Sequence, residues 1–142
     1  MKQLGNGMLR KLIDANVILR YLLRDDEALF KKASLLLERV KVGGETVVIP
    51  ESVLAECVYV LLKVYKIDRQ IISEKLRGLF AYKGIVNPDK KDLIDSIILF
   101  GQTQLSIVDC IACSKSINNG MSLFTFDDDL RNIYNKRLRS SI

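Results

Sequence analysis

The chain is 142 residues long and 49% hydrophobic, and its 22 Lys plus Arg outweigh 17 Asp plus Glu for a formal charge of +5. That length fits one domain over residues 1–142, with apolar residues enough for a continuous core. No apolar stretch nears the roughly 20 residues that cross a bilayer, and Met1 to Gly7 lack the apolar centre of a signal peptide. A cytoplasmic protein without a membrane partner is expected.

The positive balance favours a polyanionic partner such as nucleic acid. The three cysteines, Cys57, Cys110 and Cys113, lie in apolar helical patterns, where cysteine packs as a small hydrophobe. An odd number argues against a disulfide framework. With no histidine in the chain, the Cys110 and Cys113 pair also lacks the further ligands of a tetrahedral zinc site.

Residues 1–7 read as a flexible lead-in, followed by a short strand over Leu9 to Ile13 and a buried helix from Asn16 to about Arg24. A second helix fits Glu27 to Val42, where Leu29, Phe30, Ala33, Leu36, Leu37 and Val40 recur at three and four residue steps before Gly43-Gly44. Thr46 to Ile49 is β-branched and strand-like, and Pro50 suits the first turn of a helix over Glu51 to Tyr65. Asp68 caps a helix to about Tyr82. Ile85-Val86 forms a third strand, and Pro88 opens a helix to about Gln104. Asp109 caps a helix to Asn118 that ends at Asn119-Gly120. Ser122 to Phe126 is a further strand, Asp127 to Tyr134 a last helical stretch, and Arg137 to Arg139 a short edge strand. Alternating strands and helices predict an α/β fold, a parallel sheet covered on both faces.

Four acids separated in sequence then fall near one edge of that sheet. Asp14 and Asp127 follow strands, Glu56 lies in the second turn of the helix after its strand, and Asp109 opens a helix. Ligands of open parallel sheets bind beyond these carboxyl ends. Capping alone explains an aspartate at a helix start, but Glu56 projects beside Val53 and Val60, on the border of an apolar stripe, where a carboxylate without a partner is costly. Carboxylates gathered at one edge repel one another unless a cation joins them. Hard oxygen donors select magnesium or manganese over zinc or copper, and water activated by such a metal attacks phosphodiesters. Hydrolysis of a nucleic-acid backbone is the natural reaction class.

With these acids placed, Leu12-Ile13-Asp14-Ala15-Asn16-Val17-Ile18-Leu19-Arg20-Tyr21-Leu22 is similar to the first motif of PIN-domain proteins, and more narrowly of VapC-type toxin ribonucleases. Ile49-Pro50-Glu51-Ser52-Val53-Leu54-Ala55-Glu56 resembles the second motif, Leu105-Ser106-Ile107-Val108-Asp109-Cys110-Ile111-Ala112 the third, and Leu123-Phe124-Thr125-Phe126-Asp127-Asp128-Asp129-Leu130 the fourth. Each motif alone is unspecific; all four in order over residues 9–131 are far more telling. Cys110 departs from the alanine that often follows the third acid.

The resemblance implies a three-layer α/β/α PIN-like fold whose five-stranded parallel sheet has the order 3-2-1-4-5. It further implies endoribonuclease activity at a magnesium or manganese site made of Asp14, Glu56, Asp109 and Asp127, with Asn16 supporting the first aspartate. A homodimer and a cognate antitoxin whose tail covers the acidic site also follow from it. Thr125 bonds a carboxylate or phosphate, or serves the strand alone; Asp129 orients waters or caps. Arg20 and Arg24 contact RNA phosphates or form part of a solvated helix face. Two further readings keep the same fold, a PIN nuclease of RNA processing or decay without an antitoxin and a catalytically silent RNA-binding module. A flavodoxin-like phosphoacceptor would want a lysine at the sheet edge, and none clearly fills that place.

Overall fold

The computed structural model describes residues 9–141, so the expected lead-in at 1–7 lies outside the described residues. Strand β1 (Lys11–Leu12) leads into helix α1 (Ala15–Leu23), and α2 (Glu27–Lys41) follows. Asp14 and Asp26 cap these two helices by accepting Val17 N–H at 3.2 Å and Leu29 N–H at 3.0 Å. Strand β2 (Val47–Val48) pairs with β1 in parallel, Lys11 opposite Val47 and Leu12 opposite Val48. Helix α3 (Glu51–Tyr59) continues into a π-helical turn over Val60–Val64, so the helix expected to reach Tyr65 as one piece changes its pitch.

Helices α4 (Arg69–Phe80), α5 (Lys90–Gln102), α6 (Ile107–Asn118) and α7 (Asp128–Ser140) complete the order. The apolar faces of α4, with Ile72, Leu76, Leu79 and Phe80, and of α5, with Leu93, Ile97 and Phe100, are buried in one core with Ile18, Leu37, Leu54 and Ile111. Each such side chain contributes roughly 1.5–3 kcal/mol.

Ile85 joins β2 through a single parallel bridge to Val47, so the paired segments run Ile85, β2, β1. This keeps the 3-2-1 part of the expected order, and the chain is α/β, but no five-stranded sheet forms among the described residues. Two expected strands take other forms. Residues 122–126 make no ladder, and Phe124 and Phe126 stand 84% and 87% exposed. Arg137 to Arg139 lie inside α7 instead of an edge strand. The reason is electrostatic and amphipathic: acids fill the first turn of α7 and arginines its last, which complements the helix dipole, while Leu130 and Tyr134 bury one face at helical spacing.

Gly84 shows why the join at β2 must be built as it is. Its N–H donates to Val40 O at 2.8 Å and its carbonyl accepts from Val47 N–H at 2.8 Å. A Cβ there would lie 2.1 Å from Glu45 O and 2.7 Å from Val40 O, so the close passage between α2 and β2 admits only glycine.

Among the described residues no helix is long and apolar enough to cross a membrane.

Candidate functional site

The carboxyl ends of β1 and β2 point to one edge, which carries Asp14 on one side and Pro50-Glu51 on the other. The next chain crossing, at Ile85-Val86, is held at this edge by a side chain. Pro88 has no N–H to extend a ladder, and Asn87 substitutes for it. Its Oδ1 accepts from Ile49 N–H at 2.9 Å and its Nδ2 donates to Ile49 O at 2.6 Å. Asn87 is buried and both of its amide groups are satisfied, so the start of α3 is fixed through side-chain bonds where main-chain pairing ends. The signal in sequence is Val86-Asn87-Pro88, an Asn-Pro step after a strand, whose proline by itself marks only a helix start.

Helix α3 then carries Glu56 back toward β1. The Cys57 Sγ lies 3.9 Å from Ala15 O, directly after Asp14, and burial together with the negative charges of Glu56 and Asp14 pushes the Cys57 thiol up to about 12. Helix α6 crosses α3 in the antiparallel sense. Near one end the Lys115 ammonium pairs with Glu51 at 2.7 Å and with Asp89 at 3.3 Å; near the other, Ser106, Ile107 and Val108 line a cleft with Ala55, Val58 and Tyr59.

The local role of each acid differs from its expected one in two places. Ser106, not Asp109, caps α6: the Ser106 Oγ accepts from Asp109 N–H at 3.1 Å. A serine three residues upstream outcompetes the aspartate because its hydroxyl reaches the first free N–H groups, and the Asp109 carboxylate is left in the first turn without a capping bond. Glu56 is exposed, not half-buried. The cost of burying a carboxylate, which singled it out in sequence, does not arise, because among the described residues no neighbouring element covers that border of the stripe.

Asp127 is exposed and caps α7, accepting from Leu130 N–H at 2.8 Å, while its own N–H donates to Thr125 Oγ1 at 3.0 Å. Thr125 thus serves its own turn. Asp129 is exposed in the first turn of α7. Asn16 is exposed beside Arg20 in a groove between α1 and α2. Arg20 pairs with Asp25 at 2.9 Å. Arg24, in the left-handed region at φ 52°, pairs with Glu27 at 3.5 Å and lies over the Phe30 ring at 4.3 Å. Both arginines are engaged within the chain.

Among the described residues Asp14, Glu56, Asp109 and Asp127 make no ion pair. Their donors are carboxylate oxygens alone, since burial holds the neighbouring Cys110 thiol, like Cys57, up at about 12, protonated at neutral pH and no thiolate ligand. That chemistry suits a hard cation. As placed, no three His, Cys, Asp or Glu side chains among the described residues stand close enough to hold a metal ion. The donor type fits; the carboxylates are not drawn together.

A family model described as PIN domain matches residues 11–136. A VapC ribonuclease of Aquifex aeolicus (strain VF5) is 29% identical over 112 residues, which covers 78% of this chain and 82% of that protein. No solved structure matches the chain. The order of acids, the parallel pairing of β1 with β2, and a match running from the first strand into α7 agree: the chain belongs to the PIN-domain family.

Proposed function

We propose that this protein is a metal-dependent endoribonuclease that hydrolyses RNA phosphodiester bonds and acts as the toxin of a toxin-antitoxin pair. The observation that carries this reading is the match to the PIN-domain family over residues 11–136, a span that contains all four acids in order. Kinship with a VapC ribonuclease supports the substrate. In this reading Asp14, Glu56, Asp109 and Asp127 would hold magnesium or manganese, which supplies an activated water and offsets charge at the scissile phosphate.

The chain's own residues do the rest. Ser106 frees the Asp109 carboxylate from capping, and Asn87 and Lys115 fix the α3 entry from which Glu56 projects. Asn16 supports Asp14, and Asp129 orients water at the edge of the site. Arg20 and Arg24 reach RNA phosphates by exchanging their bonds to Asp25 and Glu27. The working form is a cytoplasmic homodimer restrained by a cognate antitoxin that covers the acidic edge.

The test is cleavage of RNA by the purified chain with magnesium or manganese and with a chelator. Asp14→Asn and Asp109→Asn are expected to lower cleavage by more than about a hundredfold, beyond the cost of losing an outer-shell group, with an unchanged melting temperature. A folded variant that cuts at the wild-type rate, or cleavage indifferent to chelator, overturns the reading.

A further inference from the structure

The third carboxylate sits in the first turn of α6, just after a connection whose carbonyls are held by one arginine, Arg69, at the start of α4. Its Nε donates to Thr103 O at 3.0 Å, its Nη2 donates to Phe100 O at 3.1 Å and also to Leu105 O, and its guanidinium carbon lies 3.8 Å over the Phe100 ring. These are the last carbonyls of α5 and the connection to α6. A helix end has carbonyls without intrahelical partners, and a planar fork of donors can satisfy several at once where lysine, a point charge, cannot.

The connection is short and has little support of its own. Thr103 Oγ1 bonds back to Leu99 O at 2.9 Å and accepts from Leu105 N–H at 3.3 Å. Leu105 is followed at once by the Ser106 cap, whose hydroxyl holds the Asp109 N–H. From the guanidinium to the Asp109 backbone the path is therefore Arg69, Leu105, Ser106, Asp109. Arg69 is not adjacent in sequence to anything it holds, and no local pattern marks it.

We propose that Arg69 is a positioning residue for Asp109: it fixes the connection between α5 and α6 and so sets where the third carboxylate stands. This rests on the reading of Asp109 as a site residue. Arg69 touches neither substrate nor any reacting atom; it acts through the 103–106 main chain.

A built-in reporter separates positioning from general stability. Cys110 is fully buried, with its Sγ 4.0 Å from Leu105 O; Cys113 lies one turn further along α6, whereas Cys57 is buried on α3 against Ala15 O. Buried thiols react only when their cover opens. In Arg69→Gln, iodoacetamide alkylation followed by mass spectrometry is expected to show Cys110 reacting at least about tenfold faster while Cys57 keeps its wild-type rate. In the same variant the kcat for RNA cleavage is expected to fall about tenfold to a hundredfold with KM unchanged, the penalty of a misplaced catalytic group. Arg69→Lys, which keeps the charge without the fork, is expected to fall between.

Wild-type protection of Cys110 in Arg69→Gln overturns the proposal. So does a parallel rise at Cys57, which would mean general destabilisation, and so does an opened Cys110 with undiminished kcat. If the wild-type chain cuts no RNA, the ribonuclease reading fails on its own, while the cysteine rates still decide whether Arg69 holds the loop.

Discussion

The two sides of the candidate site are built differently. Asp14 and Glu56 rise from a scaffold in which every joint has a long-range partner: β1 on β2, Gly84 threaded between Val40 and Val47, Asn87 clasping Ile49. Asp127 stands on a stretch held by short-range bonds, its own cap, the Thr125 hydroxyl, and Arg131 donating to Thr125 O at 3.0 Å and pairing with Asp128. Phe124 and Phe126 touch each other at 5.4 Å between ring centres and otherwise face solvent. The contrast shows that one family motif can be seated by long-range main-chain pairing and another by local turn chemistry with a few apolar anchors, Leu123 and Leu130 on the core. Changes on the first side should damage the whole molecule, and changes on the second should stay where they are made.

Substitutions along this gradient sharpen or break the contrast. The largest loss of stability is expected from Gly84→Ala, whose new methyl meets two carbonyls; denaturant unfolding should show a loss of about 3 kcal/mol. Asn87→Ala leaves the N–H and C=O of buried Ile49 without partners and should cost about 2 kcal/mol. On the other side, Asp127→Ala removes a helix cap and should cost about 1 kcal/mol. Asp127→Asn keeps the cap and should leave stability unchanged, so any fall in its cleavage rate reports the charge alone. Phe124→Ser and Phe126→Ser should shift stability by no more than about 0.5 kcal/mol, as expected for exposed positions. A loss of 2 kcal/mol or more at either phenylalanine would mean that these two side chains are seated by the tertiary structure after all, and would erase the distinction.

Sequence made the helices legible because their signals are local. Asp14, Asp68 and Asp127 cap as expected, and the ends at Gly43 and Gly120 take positive φ as a helix terminus with glycine does. Strands need partners far away in the chain, so Ser122 to Phe126 has a good strand composition yet forms no strand, having no partner among the described residues. Arg137 to Arg139 misled for the opposite reason: a short basic run says little until its spacing from Leu130 and Tyr134 is counted into a helix. For the site, the order of the acids was readable. The exposure of Glu56 was not, since projection on a helix shows which border a residue occupies and not whether another element covers it. Asn87, Lys115 and Arg69 escaped because each acts across more than 30 residues or through main-chain atoms that carry no sequence signature.

The bond between Asn87 and Ile49 has a consequence on the timescale of protein ageing. Asparagine deamidates when the backbone nitrogen of the next residue attacks the side-chain amide and closes a succinimide ring. At Asn87 the next residue is Pro88, whose nitrogen has no hydrogen to lose. The same proline that ends main-chain pairing at the sheet edge therefore shields the amide that replaces it, and the clasp under α3 is protected from the commonest chemical decay of its own residue type.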